Sequence, residues 1–255
     1  SGIRTNTFTA ETAFVPDASG GADLGTSSLE FNDLYLNDVG TIFFGDDQEI
    51  SLKHVHNVGL ILKTNNTGDD SIPHLIIQNG ETDIAVNDIL GAIQFQAPDE
   101  GTGTDAITVA AEVLAISEGN FAADNNATSL HFRTGASGAA TTKMSVKSDG
   151  KVGIGTTAPD GTLHVHTATA GTVGASSQAD DLVVENSAEG GITILTPDAS
   201  SARIRFSSPS TNTDVGGASI LYRQNINKLT IGTAVAGGVV DIRTAADVTS
   251  LQLTA

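Results

Sequence analysis

Along most of this chain apolar residues return at every second position, and the runs are cut by glycine and by asparagine or aspartate turns. That spacing suits a strand, whose side chains alternate between two faces, and not a helix with its 3.6-residue period. Ile50, Leu52, Val58, Leu60 and Leu62 share one parity, while Lys53, Asn57 and Lys63 take the other. Turn signals stand at Asn65 to Asp70, Asn79-Gly80, Asp99-Glu100-Gly101, Asp149-Gly150, Asp160-Gly161 and Gly237-Gly238. The longest helix-like run, Ala110 to Ile116, is short and ends in Ser117-Glu118-Gly119. The chain reads as all-β. Asp149-Gly150 lies between Met144 to Lys147 and Val152 to Ile154, which predicts a tight hairpin with φ > 0 at both central residues.

The sequence also repeats itself in order. His74 to Gln78 aligns with Gly191 to Leu195, Gly91 to Phe95 with Ala202 to Phe206, and Ala110 to Ile116 with Gly217 to Tyr222. Ser129 to Phe132 then aligns with Lys228 to Ile231, Met144 to Val146 with Val240 to Ile242, and Val152 to Ile154 with Leu251 to Leu253. The loops between them shorten in the second copy, as loops tolerate and strands do not. Successive modules are expected at 1–45, 46–73, 74–165 and 166–255, the last two being the copies.

Hydrophobic residues make up 39% of the 255, yet aromatics only 4%, with no Trp and one Met, so the apolar material suits thin layers. Fixing a strand of five or six residues costs about 1–2 kcal/mol per residue in backbone entropy. Its two or three inward aliphatics return roughly 1.5–3 kcal/mol each when fully buried. These nearly cancel, so burial between identical chains is the expected surplus, and cyclic closure also covers strand edges. A monomeric β-sandwich array competes with that reading. Composition alone does not choose three chains over two.

Acidic residues outnumber basic ones 30 to 12, a formal charge of −18, with no Lys/Arg cluster. Nucleic acid is therefore not an expected partner. With no run of 18 apolar residues and no signal-like segment, membrane insertion is not expected either. Absence of cysteine excludes disulfides and thiolate metal sites. A first residue of Ser suggests a processed chain or a fragment.

Val152-Gly153-Ile154-Gly155-Thr156-Thr157-Ala158-Pro159, followed by Thr162-Leu163-His164-Val165, resembles the "VGIGTTSP…LHV" segment of phage tail-fibre proteins. Met144 to Gly150 resembles that family's lead-in, and Asp23 to Ser28 with Phe31 to Leu36 resembles another of its fibre modules. The resemblance implies an elongated trimeric fibre of successive short antiparallel β modules, sandwich-like or prism-like, and a role in host attachment. It implies as partners two identical chains, other virion proteins, and a host cell-surface receptor that is a glycan or an outer-surface protein. A virion location, on tail or head and extracellular, follows from it. Many members end in a self-trimming helical chaperone; nothing here resembles one, so it is expected to have been removed or to lie outside this sequence.

Gly153-x-Gly155-x-x-Ala158 imitates a dinucleotide fingerprint, but Pro159, Asp160 and Gly161 forbid the helix that such a motif must open. Four of six histidines form His-x-His pairs, which on a strand aim two imidazoles the same way. His54 and His56 share parity with Ile50, Leu52, Val58 and Leu60, so three chains could bring six nitrogens to iron or a similar divalent metal on the trimer axis. Hydrogen-bonded imidazoles at a subunit interface are the plainer alternative. His164 and His166 oppose Leu163 and Val165 and are expected to face solvent. No catalytic carboxylate pair can be picked from 30, and no Gly-x-Ser-x-Gly elbow occurs. Non-catalytic reach and adhesion is the reading; a polysaccharide-degrading tailspike, a capsid decoration fibre and a bacterial surface adhesin are its competitors. The longest polar loops, Pro98 to Asp105, Gly119 to Ala127 and Ser207 to Gly216, are where receptor contact would lie, with no single binding residue indicated.

Overall fold

The computed structural model describes residues 23–96, 105–172, 174–207, 217–234, 237–245 and 248–254. Most of the loops at 98–105 and 207–216 lie outside them. Among the described residues, regular structure is fifteen strands and one short 3-10 turn at Gln224–Ile226. The helix-like run at 110–116 is strand, as β-branched and alternating neighbours dictate. The fold is all-β.

Contacts divide the chain into two units, Ser1–Ile76 and Ile77–Ala255. The first holds an antiparallel sheet of β1 (Thr41–Phe44), β2 (Ile50–Val55) and β3 (Gly59–Thr64). Its register puts Ile42, Leu52 and Leu62 side by side, and His54 opposite Leu60. One face is thus aliphatic, as the alternation requires.

The second unit is built on β4 (Ile89–Gln96), β5 (Val109–Ser117), β6 (Thr128–Thr134), β7 (Thr141–Val146), β8 (Val152–Ile154), β9 (Leu163–His166) and β10 (Leu182–Glu185). They form one sheet in sequence order. Neighbours from β4 to β8 are antiparallel, but β9 runs parallel to both β8 and β10. Residues 155–162 carry the chain back across the sheet end, so β9 re-enters in the direction of β8. A three-stranded antiparallel sheet follows, β11 (Ser201–Phe206), β12 (Ala218–Arg223) and β13 (Lys228–Thr233), and then the hairpin β14 (Val239–Ala245) with β15 (Val248–Thr254).

The turn joining β7 to β8 differs from expectation. Only Gly150 has positive φ, at 88°. Gly150 N–H donates to Lys147 O at 3.0 Å, and Lys147 N–H to Lys151 O at 2.8 Å. This is a three-residue loop, a type I turn closed by a left-handed glycine, in which Asp149 keeps an ordinary backbone and accepts from Lys151 N–H at 3.1 Å.

The Gly153-x-Gly155 pair has a steric cause. A side chain on Gly153 would run into Thr156 O, and one on Gly155 (φ 79°) into His166 O. Both glycines let the 155–162 segment lie against β8 and β9, and a turn, not a helix, follows them. Gly155→Ala should therefore lower the urea midpoint by an amount equivalent to about 1–3 kcal/mol. An unchanged midpoint would contradict this role.

Candidate functional site

Register and alternation sort the seven-stranded sheet into two unlike faces. On one lie Gln94, Glu112, Ser129, His131, Arg133, Ser145, His164 and Glu185. Polar as they are, Glu112, Ser129, His131, Ser145 and His164 are buried within the chain. Burial without partners would cost several kcal/mol per ion, and partners are present. Gln94 Nε2 donates to Glu112 Oε2 at 3.0 Å, and Arg133 Nη1 to Glu112 Oε1 at 2.9 Å.

From Arg133 the network has one consistent direction. Arg133 Nε donates to Thr142 Oγ1 at 3.1 Å, and the same hydroxyl lies 3.1 Å from His131 Nδ1, to which it donates when the ring is neutral and protonated on Nε2. Ser129 Oγ donates to Ile116 O at 3.3 Å and so accepts from His131 Nε2 at 2.9 Å. Both imidazole nitrogens are engaged, and the ring is neutral in this arrangement. Beside it, a cavity of about 280 Å³ is lined by Ser117, Glu118, Lys147 and the His131 network. The Glu118 carboxyl is pushed up by burial, yet hydrogen bonds from Lys147 and Ser148 outweigh that and hold it below its ordinary value.

The same polar face carries His164 and His166 into contact with β10. His164 is 2% exposed, against the expectation that it faces solvent. The error lies in assuming that the aliphatic side of β9 is the covered one. Asp160 N–H donates to His164 Nδ1 at 3.2 Å, which places the ring proton on Nε2. That atom lies 3.1 Å from Glu185 Oε2 but off the hydrogen-bond direction, and His166 Nε2 lies 3.8 Å from the same oxygen. Asp160, His164 and Glu185 each bring a ligand atom within 4.8 Å of the others. Coordination through Nε2 would move the ring proton to Nδ1, against the Asp160 N–H, so Nε2 does not fit as a metal ligand while that hydrogen bond stands.

His54 and His56 meet on Asp38, whose two carboxylate oxygens lie 3.7 Å from His54 Nδ1 and 3.3 Å from His56 Nδ1. His54 stands on the aliphatic face of its sheet, but His56 lies past the end of β2, in the turn before Gly59. The pair is exposed in the single chain, where such contacts contribute little.

The other face of the seven-stranded sheet is apolar across all seven strands. It carries Ile93 and Phe95, Val113, Leu130 and Phe132, Met144 and Val146, Val152 and Ile154, Leu163 and Val165, Leu182 and Val184. Ile93, Phe95, Leu130, Phe132, Ile154, Leu182 and Val184 on it are exposed, up to 58% at Phe95, while Val113, Met144, Val146, Val152, Leu163 and Val165 are half-buried. Leu114, which projects to the polar side, is the one aliphatic or aromatic side chain fully buried among the described residues. Composition and alternation predict such a face. Nothing linear signalled Glu112, Arg133 or Glu185 as partners, because strand pairing brings them together, nor Asp38, which reaches His54 and His56 from the turn before β1.

No protein-family model matches the sequence, and no curated protein matches it. Among solved structures, one similar chain is the "carboxy-terminal domain of the bacteriophage T5 L-shaped tail fiber with its intra-molecular chaperone domain". The likeness has a TM-score of 0.37 and 12% identity, covering 74% of this chain and 57% of that one.

Burial holds the His131 imidazole below its ordinary 6.5; the charges of Arg133 and Lys147 act the same way, and Glu118 opposes them. The unfolded ring takes up a proton near its ordinary pKa while the folded ring resists. The stabilisation is complete above that value and is lost as pH falls towards the folded one. Urea midpoints should fall between about pH 7.5 and about pH 5.5, and fall less in His131→Gln. Equal falls in both proteins would contradict this.

Proposed function

We propose that this chain is a structural segment of a virion fibre that assembles with two identical copies and carries the particle's reach to the host surface. The observation that supports the reading most is the imbalance of burial. Large apolar side chains lie exposed on the sheets of both units, while the chain fully buries one of them, Leu114, among its described residues. Soluble monomers rarely leave contiguous apolar faces of this extent uncovered. Identical neighbours would cover them and close the strand edges together. The role is mechanical: in the network around Glu112 and His131 the polar groups are paired within the chain, with His131 using both ring nitrogens internally. Adhesion is carried by surfaces presented to the outside of the assembly. The tail-fibre resemblance of Val152 to Val165 motivates the virion placement.

Mass under native conditions tests the assembly. Three chains of 25.9 kDa give 3 × 25.9 = 77.7 kDa. A species of that mass is expected, and one that stays at 25.9 kDa on concentration would overturn the reading.

A further inference from the structure

The three-stranded sheet β11–β13 reproduces the register of β4–β6, and the hairpin β14–β15 that of β7–β8 at its paired core, although β13 and β14 do not pair as β6 and β7 do. In the first sheet Ile93 pairs with Val113 and Val113 with Phe132; in the second, Ile204 pairs with Ile220 and Ile220 with Ile231. The same offset carries Gly91–Ala115–Leu130 onto Ala202–Tyr222–Leu229. Met144 pairs with Ile154 and Val146 with Val152, as Val240 pairs with Leu253 and Ile242 with Leu251. These partners agree with the alignment read from sequence, although strand pairing plays no part in that alignment.

Between the two sheets the charged and polar network changes on one side only, while the other stays apolar. At the positions of Glu112, Ser129, His131 and Arg133 the second sheet has Ser219, Lys228, Thr230 and Gly232. Arg203 and Arg205 stand where Ala92 and Gln94 stand. The opposite positions stay apolar: Ala202, Ile204, Phe206, Ala218, Ile220, Tyr222, Leu229 and Ile231. No charged residue enters that face in either sheet's paired strands, apart from Lys143 at the β7 bulge. In a chain of net charge −18, that segregation singles out the face on which identical acidic chains can meet.

We infer that the two sheets are successive copies of one interface module, and that the apolar face of each packs against the same face of identical chains, with the polar face outward. This rests on the proposed assembly and specifies its surface. The occupant is a second copy, because the face recurs twice in the same register and needs a partner that repeats with the same spacing.

The chain has no cysteine, so single thiols report position cleanly. Leu130→Cys and Leu229→Cys occupy equivalent places on the two apolar faces, and Arg203→Cys lies on the polar side. In the native assembly a maleimide should modify the first two on the order of tenfold more slowly than the third, and equally fast once urea unfolds the chain. An assembly of three chains in which either leucine position reacts as fast as Arg203→Cys would overturn the shared interface while leaving the trimer standing. A monomer would remove both.

Discussion

Apolar sheet faces that their own chain leaves uncovered are the constraint on which the rest of this molecule depends. Alternation gives every strand one aliphatic side, and few large aromatics are present to build a thick layer over it. The chain instead folds its loops over the polar side. At ~25 cal/mol per Å², an interface of the usual ~800 Å² per partner corresponds to a gross gain of about 20 kcal/mol. Association costs an estimated 4–15 kcal/mol in lost freedom of motion. Buried area does not convert directly into affinity, so the quality of the apolar contacts decides the surplus.

The polar side then has a different task. Glu112, Ser129, His131 and Ser145 sit where a globular protein would place leucines. They are tolerable there because each finds a partner: Arg133 and Gln94 for Glu112, Thr142 and Ser129 for His131, and Thr156 O for Ser145 Oγ at 3.1 Å. Such a network fixes strand register, since a slip of one residue would strand every ion. It also explains why the second sheet could lose the network yet keep the face. Ser219, Thr230 and Gly232 replace the buried Glu112, His131 and Arg133, the charges on that side are Arg203, Arg205 and Lys228 at its exposed positions, and Ile204, Ile220 and Ile231 still present aliphatic surface.

Much of this was legible in the sequence, in proportion to how local the signal was. Parity identified the aliphatic sides of β2 and β9 correctly, and the alignment of Gly91 to Phe95 with Ala202 to Phe206 anticipated a common register. Parity says nothing, however, about which side the chain itself will cover, so His164 was expected in solvent and is buried. The parallel entry of β9 depends on how residues 155–162 cross the sheet end, a non-local matter. The Glu112–Arg133 pair joins residues 21 apart through strand pairing, and no spacing rule announces it. At Asp149-Gly150 the dipeptide marked the turn, but Lys147 and Lys151 hydrogen bonds decided its length.

Stability that is borrowed from identical neighbours must depend on how many neighbours there are. The direct measurement is the urea unfolding midpoint across a hundredfold range of protein concentration. A shared apolar interior predicts a midpoint that rises steadily with concentration. A midpoint that stays fixed over that range would mean that each chain stands alone, and would contradict the interior proposed for it.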